Sequence, residues 1–174
     1  MHRPQGTLTG TDAATFRAVL GHFATGVVAV TGLARGEPAG FAVNSFTSVS
    51  LVPPLVAFCV AHTSTTWPDL RGSGRICLNI LSEHQQAVSA RLSASGGDKF
   101  RDLDWSGSPA GLPVLAGSLA WLECSVVAEH PAGDHDITVA HVHHLGAHPG
   151  VPQTAGPLVF FRGGYGSFTP SPNV

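Results

Sequence analysis

Hydrophobic positions fall in short bursts separated by runs of Gly, Pro and Ser. After Thr11-Asp12, the residues Phe16, Val19, Leu20 and Phe23 recur at i, i+3, i+4 and i+7. That spacing predicts a short helix with one apolar stripe, closed by Gly26. Val27 to Leu33 is a β-branched run, Ala34 to Gly40 is turn material, and Phe41 to Ser50 reads as extended chain with mixed polar residues. Pro53-Pro54 leads into a buried strand, Leu55 to Ala61. Thr65 to Leu70 is a candidate short helix and Arg75 to Leu81 a strand. Ser82 and Gln85 fit a capping box that opens a helix to about Leu92. Ser93 to Pro113 is loop-like. Leu119 to His130 and Asp134 to Leu145 form a hairpin about Pro131-Ala132-Gly133, and Leu158 to Phe161 is a last strand before a glycine-rich tail. About six strands with few helices predict a closed or partly open antiparallel barrel.

Composition narrows the class. The chain has 174 residues, which suits one domain. Charged residues are 11%, against about 25% in an average soluble domain, so a partner subunit is expected to cover part of the surface. The net charge is −2 and Lys99 is the one lysine, which leaves no basic stripe for nucleic acid. Cys59, Cys77 and Cys124 are odd in number and widely spaced, and they read as buried thiols in a reducing cytoplasm. Met1 to Gly10 is polar, unlike a secretory signal. The uncharged stretch toward Pro68 is too broken by Asn, Ser, Thr and Pro for a membrane helix.

Two stretches carry candidate chemistry. Asn44-Ser45-Phe46-Thr47-Ser48-Val49-Ser50 places four hydroxyls and an amide between core strands, where such side chains are poor fillers. The segment is either a solvated edge strand or a row of donors facing a polar ligand. Thr63-Ser64-Thr65-Thr66 follows the Leu55 to Ala61 strand and opens the short helix. Uncharged hydroxyls with free backbone N–H groups suit a phosphate-bearing cofactor. His141 and His143 share a strand face, yet no Cys or carboxylate stands nearby at ligand spacing, so no metal site is expected. Glu123, within an apolar strand, is expected to be a structural hydrogen-bonding carboxylate.

The chain resembles the flavin reductase family of FMN-binding split-barrel proteins. The pieces that carry the likeness are Phe23-Ala24-Thr25-Gly26-Val27, Gly40 to Ser50, Pro53-Pro54-Leu55-Val56, Cys77 to Leu81, Leu122-Glu123-Cys124, Gly133-Asp134-His135 and Phe160-Phe161-Arg162-Gly163. The resemblance implies a six-stranded antiparallel split β-barrel with accessory helices, spanning 13–168 between flexible termini and built as a homodimer. It implies an NAD(P)H:flavin oxidoreductase that reduces FAD or FMN with NADH or NADPH and supplies a separate monooxygenase. A flavin carrier without catalysis and a flavin-retaining oxidase are the alternatives on the same fold. By the same likeness, Asn44 and Ser45 would lie beside the isoalloxazine ring. Ser48, Val49 and Ser50 would hold the ribityl chain and phosphate, Ser64 and Thr66 a second phosphate stretch. Lys99 would neutralise a phosphate, Phe100 after it would also contact the cofactor, Tyr165 would border the flavin, and His135 would position the nicotinamide. Ala42-Val43 departs from the family's Thr-Ala, and an extra glycine precedes Tyr165.

Overall fold

A computed structural model describes residues 11–152 and 154–171. Of the expected flexible termini, 1–12 and 169–174, residues 1–10 and 172–174 lie outside them. Helix α1 (Ala13–Leu20) is capped by Asp12, whose carboxylate accepts from the Ala14 and Thr15 N–H groups at 3.0 Å. Its apolar stripe is not buried on its own chain: Phe16, Val19, Leu20 and Phe23 are 52–76% exposed.

A seven-stranded antiparallel sheet carries the fold. In spatial order it comprises β3 (Glu37–Val43), β2 (Val28–Ala34), β6 (Ile76–Ile80), β9 (Ala120–Ala132), β10 (His135–Ala147), β5 (Pro54–Ala61) and β4 (Thr47–Leu51). This corrects the expectation of a six-stranded split barrel in its strand count: the main sheet has seven strands and does not close. The sheet keeps two edges, β3 and β4, and only Asn44-Ser45-Phe46 separates them along the chain. The stretch expected to be turn material, Ala34 to Gly40, is mostly strand. A two-residue turn at Arg35-Gly36, with φ of 55° and 90°, brings β3 straight back onto β2. The glycine-rich tail is also strand. Arg162-Gly163 turns β11 (Leu158–Phe161) into β12 (Gly164–Ser167), and β1 (Thr25–Gly26) pairs on the other side of β11. Within the expected loop, β7 (Trp105–Gly107) pairs with β8 (Pro113–Leu115).

Strand β2 reads as an unbroken apolar run because both its faces are covered. Val28 and Val30 join Phe58, Leu70 and Leu78 on one side, while Ala29 meets Leu81, Leu92 and Phe100 on the other. The Ser82–Gln85 capping box forms as expected and leads into α3 (Gln86–Ser93). Helix α2 (Trp67–Gly72) is pinned by Trp67, whose Nε1 donates to Glu129 at 2.9 Å.

Around Asn79 and Glu123 the polar groups inside the sheet find partners, although the buried Thr138 hydroxyl on β10 has none among the described residues. Asn79 donates to Thr31 Oγ1 at 2.9 Å and accepts from the Leu115 N–H at 2.8 Å, and Thr31 donates to the Pro113 carbonyl at 2.6 Å. Glu123, 1% exposed, accepts from Ser108 Oγ at 2.7 Å, the Ala110 N–H at 2.8 Å and Arg75. Burial opposes its charge, yet these donors outweigh it and hold the carboxyl below its ordinary value. Burial pushes the Cys77 and Cys124 thiols up to about 12, and all three cysteines are free. Among the described residues no helix is long and apolar enough to cross a membrane.

Candidate functional site

Edge strand β3 is the spine of the site. Its residues alternate between faces, so Phe41 and Val43 pack with one core cluster and Ala42 with the other. Clefts open on both faces where it ends, and both are lined by Ala42, Val43 and Asn44. One, of about 250 Å³, adds Ser45, Cys59, Ser64 and His135. The other, of about 280 Å³, adds Ser89, Ser93, Phe160 and Tyr165. A third, of about 240 Å³, lies near the start of β3 and is lined by Gly40, Thr65, Thr66, Gly96, Lys99 and Phe100 among others. Each is just below the usual ligand-pocket range of roughly 300–1,000 Å³, but the two that share Asn44 reach it together.

The backbone explains how these side chains arrive. Gly40 has no room for a Cβ, which would stand 2.7 Å from the Val30 carbonyl oxygen and 3.3 Å from the Phe100 ring. Its absence lets the Lys99-Phe100 loop sit against β3. Phe100 itself is buried in the core. Lys99 spends one of its three donors on the Leu92 carbonyl, at 2.9 Å, and partial burial lowers its pKa. The segment after β5 turns sharply, with the Ser64 N–H on the Ala61 carbonyl and Ser64 Oγ accepting from the Trp67 N–H at 3.2 Å. Thr66 precedes α2 and makes no side-chain cap hydrogen bond, so its hydroxyl is left for the cleft.

His135 is the first residue of β10, after the two-residue turn Gly133-Asp134. Its Nδ1 lies 2.7 Å from Asp134 Oδ1. A carboxylate can only accept, so Nδ1 carries the hydrogen and Nε2 is left for a ligand. Hydrogen bonding to His135 holds the Asp134 carboxyl below its ordinary value. The tip is tied to the end of β5 by the His62 N–H on the Asp134 carbonyl at 3.0 Å. A second link is the His62 ring, 3.2 Å from Asp136.

The structure therefore gathers Asn44, Ser45, Ser64 and His135 in one cleft, Thr66, Lys99 and Phe100 in another, and Tyr165 with Asn44 in a third. Ser48, Val49 and Ser50 lie elsewhere. They belong to edge strand β4, where Val49 sits in a register shift between Ser48 and Ser50, and they line none of these three clefts. The extra glycine before Tyr165 is absorbed by the Arg162-Gly163 turn, which pairs Tyr165 with Phe160, their rings edge-on at 5.4 Å. Ser89 and Ser93 were missed. Their four-residue spacing puts both hydroxyls on one face of α3, and Ser89 Oγ lies 2.9 Å from the Tyr165 hydroxyl. The His141 and His143 rings meet edge-on at 4.8 Å, and His143 Nε2 lies 2.8 Å from Ser125 Oγ. Among the described residues no three side chains converge as metal ligands.

The chain is similar to known proteins over most of its length. The flavin reductase like domain model matches residues 20–169. The reductase subunit HsaB of a flavin-dependent monooxygenase from Mycobacterium tuberculosis is 43% identical over 159 residues, 91% of this chain and 84% of that protein. The crystal structure of a nitrilotriacetate monooxygenase component B homolog from Mycobacterium thermoresistibile superposes with a TM-score of 0.87 at 45% identity, covering 92% of this chain and 89% of that one. An NADH:FAD oxidoreductase from Streptomyces globisporus, in complex with NAD and FAD fragments, superposes at 0.86 with 30% identity, covering 97% and 100%. On sequence and on fold alike, the chain belongs to the flavin reductase like domain family.

Proposed function

We propose that this protein is an NADH-dependent flavin reductase that reduces FAD or FMN and releases it to a separate monooxygenase component. The observation that carries this reading is the line of clefts along β3, furnished with uncharged hydroxyls, one exposed amide and a single ammonium. That donor set fits a flavin. Lys99, with Thr66 beside it, supplies a cation and a hydroxyl for a phosphate. The Asn44 amide offers both a donor and an acceptor to the polar edge of a planar ring. Tyr165 and Phe160 give that ring an aromatic wall.

A bound flavin supplies the two-electron acceptor for the hydride of a reduced nicotinamide. The chain itself needs no proton relay for that step. His135, fixed by Asp134, offers Nε2 to orient the second ligand, and Phe41, Val43 and Val60 exclude water from the base of the cleft. One half-desolvated ammonium and neutral donors hold a flavin loosely enough to exchange.

The proposal extends to assembly and place. The uncovered apolar stripe of α1 supports a homodimer, and the two exposed edges of the sheet support a split-barrel description with the groove at the subunit junction. Three free thiols fit a cytoplasmic setting. The test is steady-state NADH consumption with catalytic protein and excess FAD or FMN. Many turnovers per protein are expected, with free reduced flavin accumulating under anaerobic conditions. No NADH consumed above the protein-free rate would leave a carrier instead, and one equivalent per protein, with no more, a flavin-retaining protein.

A further inference from the structure

The Ser45 hydroxyl faces the backbone of its own protein. Its oxygen accepts from the Cys59 N–H at 2.8 Å, and its hydrogen points back to the Cys59 carbonyl at 3.4 Å. Strand β4 pairs with β5 as far as Thr47 opposite Ala57. Two residues further along β5 stands Cys59, where the chain has already left for β3. The Ser45 side chain thus takes the place of the strand neighbour that β5 lacks there. Phe46, the next residue, packs into the core. The corner between the two sheet edges is clasped on one side by a hydroxyl and on the other by a ring. Asn44 projects, exposed, from that corner into both clefts at the end of β3.

We propose that Ser45 is a positioning residue: its hydroxyl clasps the β3–β4 corner to β5 and so holds the Asn44 amide in place, rather than donating to the flavin ring. A side chain whose oxygen and hydrogen are both engaged by the N–H and C=O of one residue is oriented before any ligand arrives. This rests on the flavin reductase reading, but its first test does not need turnover.

Amide hydrogen exchange at Cys59 is the direct measurement. In the wild-type protein the Cys59 amide is expected to be protected without ligand, with protection equal or greater at saturating FMN. Protection that falls on adding FMN would show the hydroxyl leaving for the ligand, and would overturn the proposal. In Ser45→Ala the Cys59 amide should exchange about fivefold faster, the scale of one lost hydrogen bond. FMN should bind about fivefold more weakly, by the same factor as 5-deaza-FMN and 4-thio-FMN, whose ring acceptors at positions 5 and 4 are removed or weakened. Ser45→Thr, which keeps the hydroxyl, should restore both. A loss in Ser45→Ala that spares either analogue would make Ser45 a direct ring donor. NADH consumption fails or succeeds separately, so a failed clasp and a failed reductase assignment remain distinguishable.

Discussion

Asn, Ser and Thr do opposite work in two regions of this sheet. Around Asn79, Thr31 and Glu123, described polar atoms are matched to partners within hydrogen-bond distance, and the residues are at most 1% exposed. Along β3, Asn44, Thr65 and Thr66 stand at cleft mouths, half-buried or exposed, with capacity left for a ligand. The difference lies in what stands opposite. The β7–β8 hairpin brings the Pro113 carbonyl and Leu115 N–H onto Asn79 and Thr31, whereas β3 is an edge with no neighbouring strand beyond it. Saturated groups specify the fold, and spared groups bind.

Substitutions should divide the same way. The largest effect is expected from Glu123→Gln, which leaves Arg75 and two further donors poorly matched. Loss of one partner of a buried pair costs roughly 3–5 kcal/mol, and because Arg75 can turn toward water the lower end, about 3 kcal/mol, is expected in urea unfolding. The pH dependence has a defined sign. The folded carboxyl lies below its ordinary 4.5, so its contribution is complete above that pH and is lost as pH falls through the folded value. The gap between wild type and Glu123→Gln should therefore close on acidification below 4.5.

Asn79→Ala comes next, at about 2 kcal/mol of stability, since it strands the Leu115 N–H. Neither variant should change flavin affinity by more than about twofold once folded. Lys99→Ala should weaken FMN about tenfold in equilibrium titration yet leave riboflavin, which has no phosphate, unaffected. His135→Ala should do least, lowering kcat with NADH about fivefold while the flavin dissociation constant holds. If Glu123→Gln shifted flavin affinity as far as Lys99→Ala and left the urea midpoint alone, the division between the two regions would be wrong.

How much of this was legible depends on whether a signal is local. The capping box at Ser82 and the strand Leu55 to Ala61 are set by neighbouring residues and appeared where expected. The turn at Arg35-Gly36 was not foreseen, because Arg35 takes a positive φ that non-glycine residues seldom adopt, and a seven-residue stretch was read as turn where two residues suffice. Among the candidate site residues, the hydroxyl-rich stretch holding Asn44 stands out by composition, whereas Lys99 is picked out by the family resemblance. The fate of the Ser45 hydroxyl did not, since it is decided by Cys59, which reaches it across the seam between β3 and β5. Ser48 and Ser50 shared the same hydroxyl-rich stretch, but a shift of register puts them on another edge.

The order of strands has a consequence for synthesis. Residues 43 and 47 are near neighbours on the ribosome's product, yet between their strands the finished sheet interposes β2, β6, β9, β10 and β5. Strand β5 gains its inner neighbour only when residues 135–147 have emerged. A chain halted before that point has made every residue of the Asn44 corner and still lacks the support that shapes it. Completion of the Asn44 corner is thereby tied to the last third of the chain, although its own residues are among the first quarter or so to be made.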